Sequence, residues 1–187
     1  GRRYGTIEDF QNFIKLAQSS PWLHHSGGTV CEPTDVPVNK RHLDMVYSHI
    51  RYSDRGFLGS ITAPERAADS VEMARILFGE AFTDQNCVVM GNFNTTSPLV
   101  IDGVTAAGIR AYAAANQGSI HLPFLLSGAV AALTTAGMVA QGLAESMASC
   151  AIAQLTRPGA PTILASFFSS MSLRTGSPTF GTPEPAI

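Results

Sequence analysis

Short apolar runs alternate with longer segments of helical periodicity along this chain, and no other feature constrains its fold as strongly. The clearest run covers residues 87–91, which are continuously apolar, as expected for a strand covered on both faces. The clearest helix start is Thr6, a capping residue followed by the acidic Glu8 and Asp9 and by apolar residues at helical spacing. Strands that alternate with helices predict a parallel sheet of βα units.

The full pattern predicts a helix from Thr6, then strands that alternate with helices, and finally a loop over residues 167–183. The predicted strands are residues 29–32, 56–61, 87–91, 119–125 and 162–166. The further predicted helices are residues 39–53, 63–78, 101–116 and 133–155, with Thr62 as the cap before Pro64 in the second of these.

Two architectures accommodate about five parallel strands alternating with helices: a doubly wound open sheet and a (β/α)8 barrel. A complete barrel needs about 250 residues, so the 187 residues of this chain would form a partial one. Periodicity alone does not choose between the two. The chain begins with Gly1 rather than Met, and Ile187 follows a loop of the kind that introduces a helix. We therefore expect residues 1–187 to be a single domain truncated at both ends.

Charge and hydropathy narrow the classes of partner. The net charge is -2, so no basic field is present to attract nucleic acid. Residues 124–144 carry no charge and are long enough to cross a bilayer, but Ser, Thr, Gly and Gln interrupt them and no aromatic or basic flank follows. We expect a buried strand, turn and helix there, and no membrane contact; a membrane-associated remnant is the less favoured alternative.

Cysteine usage and the low charge fraction bear on compartment and assembly. Cys31, Cys87 and Cys150 are far apart and form no disulfide or zinc pattern, which predicts buried, reduced thiols in a cytoplasmic protein. Charged residues make up only 14% of the chain, well below the usual quarter or so. Segments that are so poor in charge are either buried on several sides within the fold or packed in an assembly, and we expect a homo-oligomer.

Ligands of parallel α/β proteins bind at the carboxyl ends of the strands, and this rule selects three loops before any motif is considered. The first loop holds Asn92, Asn94 and Ser97, whose amides and hydroxyl offer both donors and acceptors for a ligand. Turn formation and helix capping explain the same residue types equally well. The second loop contributes His121, Phe124 and Ser127.

The predicted secondary structure indicates where the side chains of three histidines point. His121 lies on the opposite face from Ile120 and Leu122, so it points into a barrel if that apolar pair faces the helices. The alternative is a hydrogen-bonded core histidine. His42 and His49 lie in a predicted helix, where we expect them to be solvated.

The third loop combines aromatic and basic residues. Phe167 and Phe168 are predicted to form a cage for a quaternary ammonium group, and Arg174 to hold a carboxylate. A core position for the two phenylalanines and a surface position for Arg174 are the alternatives. The sequence contains no HExxH, no nucleotide-binding glycine motif and no nucleophile elbow, so it predicts no metal site and disfavours hydride transfer and P-loop chemistry.

Five short motifs follow one another from the third predicted strand to the C-terminus. They are Asn94-Thr95-Thr96-Ser97-Pro98-Leu99, residues 128–137, Gln141-Gly142-Leu143-Ala144-Glu145, residues 154–161, and Gly181-Thr182-Pro183-Glu184. In this order and spacing, together with the opening residues 5–10, the chain resembles the trimethylamine methyltransferase family over almost its whole length. One departure is Ala132, which stands where the family usually has Pro and loosens that turn.

The resemblance implies a TIM barrel and a role in methylamine metabolism, including methanogenesis. It implies transfer of a methyl group from trimethylamine, or from a quaternary amine such as glycine betaine, to the Co(I) corrinoid (cobalamin) of a partner protein, with no cofactor bound directly by this chain. Glu184, in the last motif, joins the candidate substrate-binding residues. The pyrrolysine of the family's founding members would fall beyond Ile187.

Two alternatives stay open at this point: an unrelated α/β enzyme of small molecules, and an inactive remnant. A partial barrel would leave two sheet edges and part of its interior exposed. We therefore expect the 187 residues alone to be inactive or prone to aggregation.

Overall fold

The computed structural model describes residues 3–181 and contains a parallel sheet with helices packed against it. In chain order the elements are α1 (Ile7–Ser19), α2 (Arg41–Tyr52), β1 (Phe57–Leu58), α3 (Pro64–Phe78), α4 (Glu80–Gln85), β2 (Val89–Phe93), α5 (Gly103–Ala114), β3 (Gly118–His121), β4 (Phe124–Ser127), α6 (Thr135–Thr156), β5 (Thr162–Leu164), β6 (Phe167–Met171) and β7 (Pro178–Thr179). The predicted α/β class and the cap at Thr6 are confirmed; the Thr6 hydroxyl accepts from the Asp9 N–H and forms a capping box.

The strands form two sheets. The main sheet has the order β1-β2-β3-β5 with every neighbouring pair parallel, and the smaller sheet has the order β4-β6-β7. Phe93 lies beside His121, which lies beside Leu164, so these three side chains share one face of the main sheet. Because the order is sequential and crossovers between parallel strands are right-handed, the connecting helices gather on one face.

A core of apolar side chains fills the space between the main sheet and helices α2, α3, α5 and α6. Phe93 lies at its centre, with its ring edge-on to Tyr112 at a centroid distance of 5.7 Å. Gly91 and Gly108 make room for that ring, since a Cβ atom at either position would lie within 2.7 Å of it. The side of the sheet that carries Phe93 is therefore the covered face, and the other is called the open face below.

A second, smaller core joins α6 to the smaller sheet. Phe168 and Leu125 pack there on Met138. Gly142 permits the close approach, because a Cβ atom there would lie 2.6 Å from the Phe168 ring. Helix α6 has 22 residues and spans both sheets, which fixes one relative to the other.

Three predicted elements differ in the structure. Residues 29–32 form no strand: Gly27 has a φ of 81°, the Val30 N–H donates to the Gly28 carbonyl, and Pro33 supplies no N–H for a ladder. The predicted strand over residues 119–125 is split into β3 and β4, because Pro123 interrupts the ladder and β4 pairs with β6 instead.

The predicted final loop also differs, since it contains β6 and β7, and α4 was not predicted. Residues 124–144 form β4, a turn and the first half of α6, as expected for a buried strand, turn and helix. None of the helices within residues 3–181 is long and apolar enough to cross a membrane. The cysteines are free as expected, but the prediction that they are buried is wrong: Cys87 is exposed, and Cys31 and Cys150 are only partly buried.

We expect Gly142→Ala to lower the melting temperature of the full-length protein, with a loss of about 1–3 kcal/mol from overpacking against Phe168. Gly103→Ala is the matched control, because Gly103 begins α5 and a Cβ atom there meets nothing within 4 Å. Gly103→Ala should leave the melting temperature unchanged or raise it slightly. Equal melting temperatures for the two variants would contradict the close packing of α6 on β6.

Candidate functional site

One buried carboxylate ties the loop that follows β2 to helix α6. Glu145 is 3% exposed, and its Oε2 accepts from the hydroxyls of Thr95 at 2.5 Å and Ser97 at 2.6 Å. Its Oε1 accepts from the Leu99 N–H and from the Gln141 side-chain amide, both at 2.9 Å. Four donors from two segments thus converge on one side chain, which fixes the loop at the carboxyl end of the sheet.

These donors also determine the charge of Glu145. Burial raises the pKa of this carboxyl, but the hydrogen bonds from Ser97, Thr95, Gln141 and the Leu99 N–H outweigh burial and bring the pKa below its ordinary value of 4.5. Glu145 is therefore ionised at neutral pH. A charged group in this position holds its partners more strongly than a neutral acid would.

The loop presents Asn92 and Asn94 differently. Asn92 alternates with Gly91 and Phe93, so its side chain lies on the open face. Its Oδ1 atom is buried and has no hydrogen-bond partner within the described residues. Asn94 is exposed. The Ser97 hydroxyl is taken up by Glu145 and is not free to bind a ligand.

Aromatic rings line the face of the smaller sheet that points away from α6, which is called its open face. Phe124 and Phe167 are neighbours on β4 and β6, with ring centroids 5.0 Å apart, and Phe180 lies edge-on to Phe167 at 6.3 Å. Phe124 and Phe167 are 39% and 42% exposed, whereas Phe168 is only 7% exposed and belongs to the core on α6. Phe167 is thus placed as a cage residue would be, and Phe168 is not.

His121 is a buried core histidine. It shares the covered face with Phe93, so it points toward the helices, and its neighbour Ile120 lies on the open face. Of the two positions that the sequence left open, the structure shows the core position. Its Nε2 lies 3.1 Å from the Ser119 hydroxyl. Burial lowers the pKa of His121 to about 4, so the ring is neutral.

The remaining candidates are Ser127, Arg174 and Glu184. The Ser127 hydroxyl donates to the Leu133 carbonyl at 2.8 Å and closes a turn. Arg174 is exposed in the turn between β6 and β7. Glu184 lies outside the described residues. Among residues 3–181, no group of three or more metal-binding side chains occurs.

Sequence reasoning did not single out Glu145, Gln141 or Phe180 as site residues. A signal for Glu145 was present: it is the one charged residue in α6, and Gln141 precedes it by one helical turn. A lone carboxylate in an otherwise uncharged helix is expected to have buried partners. No comparable local signal marks Phe180, which reaches Phe167 only through the pairing of β7 with β6.

Fold and site together define a parallel α/β protein whose candidate site lies at the carboxyl ends of its strands, on the face that the helices leave open. The family model described as trimethylamine methyltransferase matches residues 1–187, and the chain belongs to that family. A relative is the glycine betaine methyltransferase of Desulfitobacterium hafniense (strain Y51), which is 40% identical over 187 residues. The match covers 100% of this chain and 39% of the relative's length.

We expect Glu145→Gln to lower the free energy of unfolding of the full-length protein by about 1–3 kcal/mol, because the Thr95 and Ser97 hydroxyls then face an uncharged group. The control is Glu72→Gln on the exposed side of α3, with an expected change below about 1 kcal/mol.

The difference between wild type and Glu145→Gln should also depend on pH. Since folding lowers the pKa of Glu145, its contribution is fully present above 4.5 and is lost as the pH falls through the lower, folded-state pKa. Chemical denaturation at several pH values measures this. A difference that is the same in acid and at neutral pH would rule out an ionised anchor.

Proposed function

We propose that residues 1–187 are part of a corrinoid-dependent methyltransferase, which takes a methyl group from trimethylamine or from a quaternary amine such as glycine betaine. The acceptor is the Co(I) corrinoid of a partner protein. Family membership and the name of the relative support the reaction class. The observation that carries the proposal is the pair of half-exposed rings, Phe124 and Phe167, on the open face.

We propose a TIM barrel for the full-length protein. A barrel requires sequential parallel strands with all helices outside, and the order β1-β2-β3-β5 has this arrangement. The open face would then be the interior of the barrel. Ile163 and Leu164 on β5 are both about half exposed, which is consistent with a further strand and helix covering this edge.

The aromatic rings suit a methylated ammonium group. A quaternary nitrogen has no N–H to donate, so it is bound through the negative faces of aromatic rings and not through hydrogen bonds. Phe124 and Phe167 supply two such rings, and Phe180 a third at their edge. The buried Oδ1 atom of Asn92, on the open face of the main sheet, is a further negative pole without a hydrogen-bond partner within the described residues.

The chain's own task in this reaction is to bind and orient the amine. The reduced corrinoid of the partner supplies the nucleophile for the methyl carbon, and the amine leaves with the electron pair of the broken C–N bond. A quaternary nitrogen, or a trimethylamine that is protonated on nitrogen, leaves as a neutral amine, so the chain does not have to donate a proton. Orientation of the reacting methyl group and exclusion of water are what the rigid rings and the anchored loop can contribute.

Exposed leucines at the carboxyl ends of the strands support docking of the partner protein there. Leu99 follows β2, Leu133 follows β4, and Leu173 follows β6, and each is at least 66% exposed. A partner that covered them would bring its corrinoid over the open face. Self-association is proposed as well, since Leu16 and Trp22 form exposed apolar surface at α1. A cytoplasmic location remains a prediction.

We expect the full-length protein to transfer a methyl group from glycine betaine or trimethylamine to cob(I)alamin, followed by absorbance. Phe167→Ala should weaken binding of the amine by roughly 3- to 30-fold, as loss of a cation–π contact of about 0.5–2 kcal/mol implies. Phe167→Leu, which keeps an apolar side chain without a ring, should bind almost as poorly.

The control for this experiment is Phe82→Ala, which removes a similarly exposed ring on α4. It should leave amine binding unchanged. If Phe167→Ala transfers the methyl group and binds the amine with the same dissociation constant as the wild type, Phe167 does not belong to the site. If the wild type transfers a methyl group from none of the methylated amines, the proposed reaction is wrong.

A further inference from the structure

A cavity of about 120 Å³ opens at the carboxyl end of β1, and none of the residues placed in the candidate functional site lines it. Helix α2 contributes His42 to its wall, the loop after β1 contributes Ser60 and Thr62, and α3 contributes Arg66. The aromatic rings of Phe124, Phe167 and Phe180 do not line this cavity.

Arg66 gives this cavity a positive charge that no carboxylate balances. Its guanidinium donates to the Thr62 hydroxyl at 3.0 Å, and none of the ion pairs within residues 3–181 includes it. The other arginine of the wall, Arg41, is paired with Glu32 at 2.5 Å and also donates to the Val36 carbonyl. One guanidinium thus has donors left for a ligand.

His42 adds a buried polar atom without a partner. The residue is 8% exposed, and its Nε2 lies 2.7 Å from the Asp69 carboxylate. In the tautomer that donates its Nε2–H to Asp69, the Nδ1 atom carries no hydrogen and is an acceptor. This atom is buried and has no hydrogen-bond partner within the described residues. Such an orphaned atom on a cavity wall indicates a missing donor.

We propose that this cavity binds the carboxylate group of a small molecule, with Arg66 as the ion-pair partner and the hydroxyls of Ser60 and Thr62 as further donors. One unpaired guanidinium balances a monoanion and not a phosphate dianion. No Phe, Tyr or Trp lines the cavity within the described residues, so it offers no aromatic cage for a methylated ammonium group. The Nδ1 atom of His42 is positioned to accept from a hydroxyl beside the carboxylate.

The volume limits the ligand. A cavity of about 150 Å³ holds a molecule of the size of benzene, and this one is smaller. The carboxylate can come from a separate small organic acid or from the carboxylate end of a zwitterionic methyl donor. Either ligand would form the same ion pair between its carboxylate and Arg66. A competition experiment between acetate and glycine betaine distinguishes them.

The test is an NMR titration of the full-length protein with sodium acetate and sodium glycolate at constant ionic strength. Both probes should bind, and glycolate should bind more tightly because His42 can accept from its hydroxyl. Arg66→Gln should weaken binding of both by roughly 10- to 100-fold, the value of a charge-assisted hydrogen bond. Arg66→Lys, which keeps the charge without the planar fork, should lose less.

The control is Arg110→Gln, which removes an exposed guanidinium from α5 and should leave both dissociation constants unchanged. Melting temperatures verify that each variant is folded. Failure of acetate and glycolate to bind the wild type, or equal binding by wild type and a folded Arg66→Gln variant, would overturn the proposal. Neither result depends on methyl transfer, which is measured separately.

Competition then assigns the source of the carboxylate. If glycine betaine displaces acetate and choline does not, the cavity holds the carboxylate of the methyl donor. If glycine betaine and acetate bind together, the cavity serves a separate acid. Displacement of acetate by choline, which lacks a carboxylate, would contradict a carboxylate site.

Discussion

The carboxylate of Glu145 is the interaction on which the candidate site depends. It joins the loop after β2 to the helix that spans both sheets, so the carboxyl end of the sheet and the helix layer are held by one charged group. Burial alone would oppose an ionised carboxyl here, and the four converging donors reverse that effect. Two motifs of the family, residues 94–99 and 141–145, are thereby explained as the two halves of one contact.

The contact at Glu145 lies beside a sheet that has one covered and one open face, and the two faces carry different residues. The covered face holds Phe93, His121 and the rest of the core, and nothing there is free to meet a substrate. The open face carries Asn92 and the rings of Phe124 and Phe167. In the proposed reaction a partner protein supplies the nucleophile, so this chain has to orient the methyl group and exclude water. An anchored loop beside an uncovered aromatic surface can contribute to both.

Local signals in the sequence predicted the alternation of strands and helices and the helix start at Thr6, since capping and periodicity depend on neighbouring residues. The family was predicted from motif order, and the whole-chain match confirms it. The direction of His121 could not be predicted, because alternation gives two faces and only the register with Phe93 decides which is covered. His42 and His49 were expected to be solvated but are buried, since the loop over residues 26–32 and helix α3 cover that side of α2.

A crystal structure of the full-length protein with a bound quaternary amine tests the account most directly. We predict the methylated nitrogen against the faces of Phe124 and Phe167, on the side of the sheet opposite α6, with the loop after β2 still held by Glu145. An amine bound elsewhere, with both rings covered by other side chains, would contradict the assignment of the open face as the substrate site.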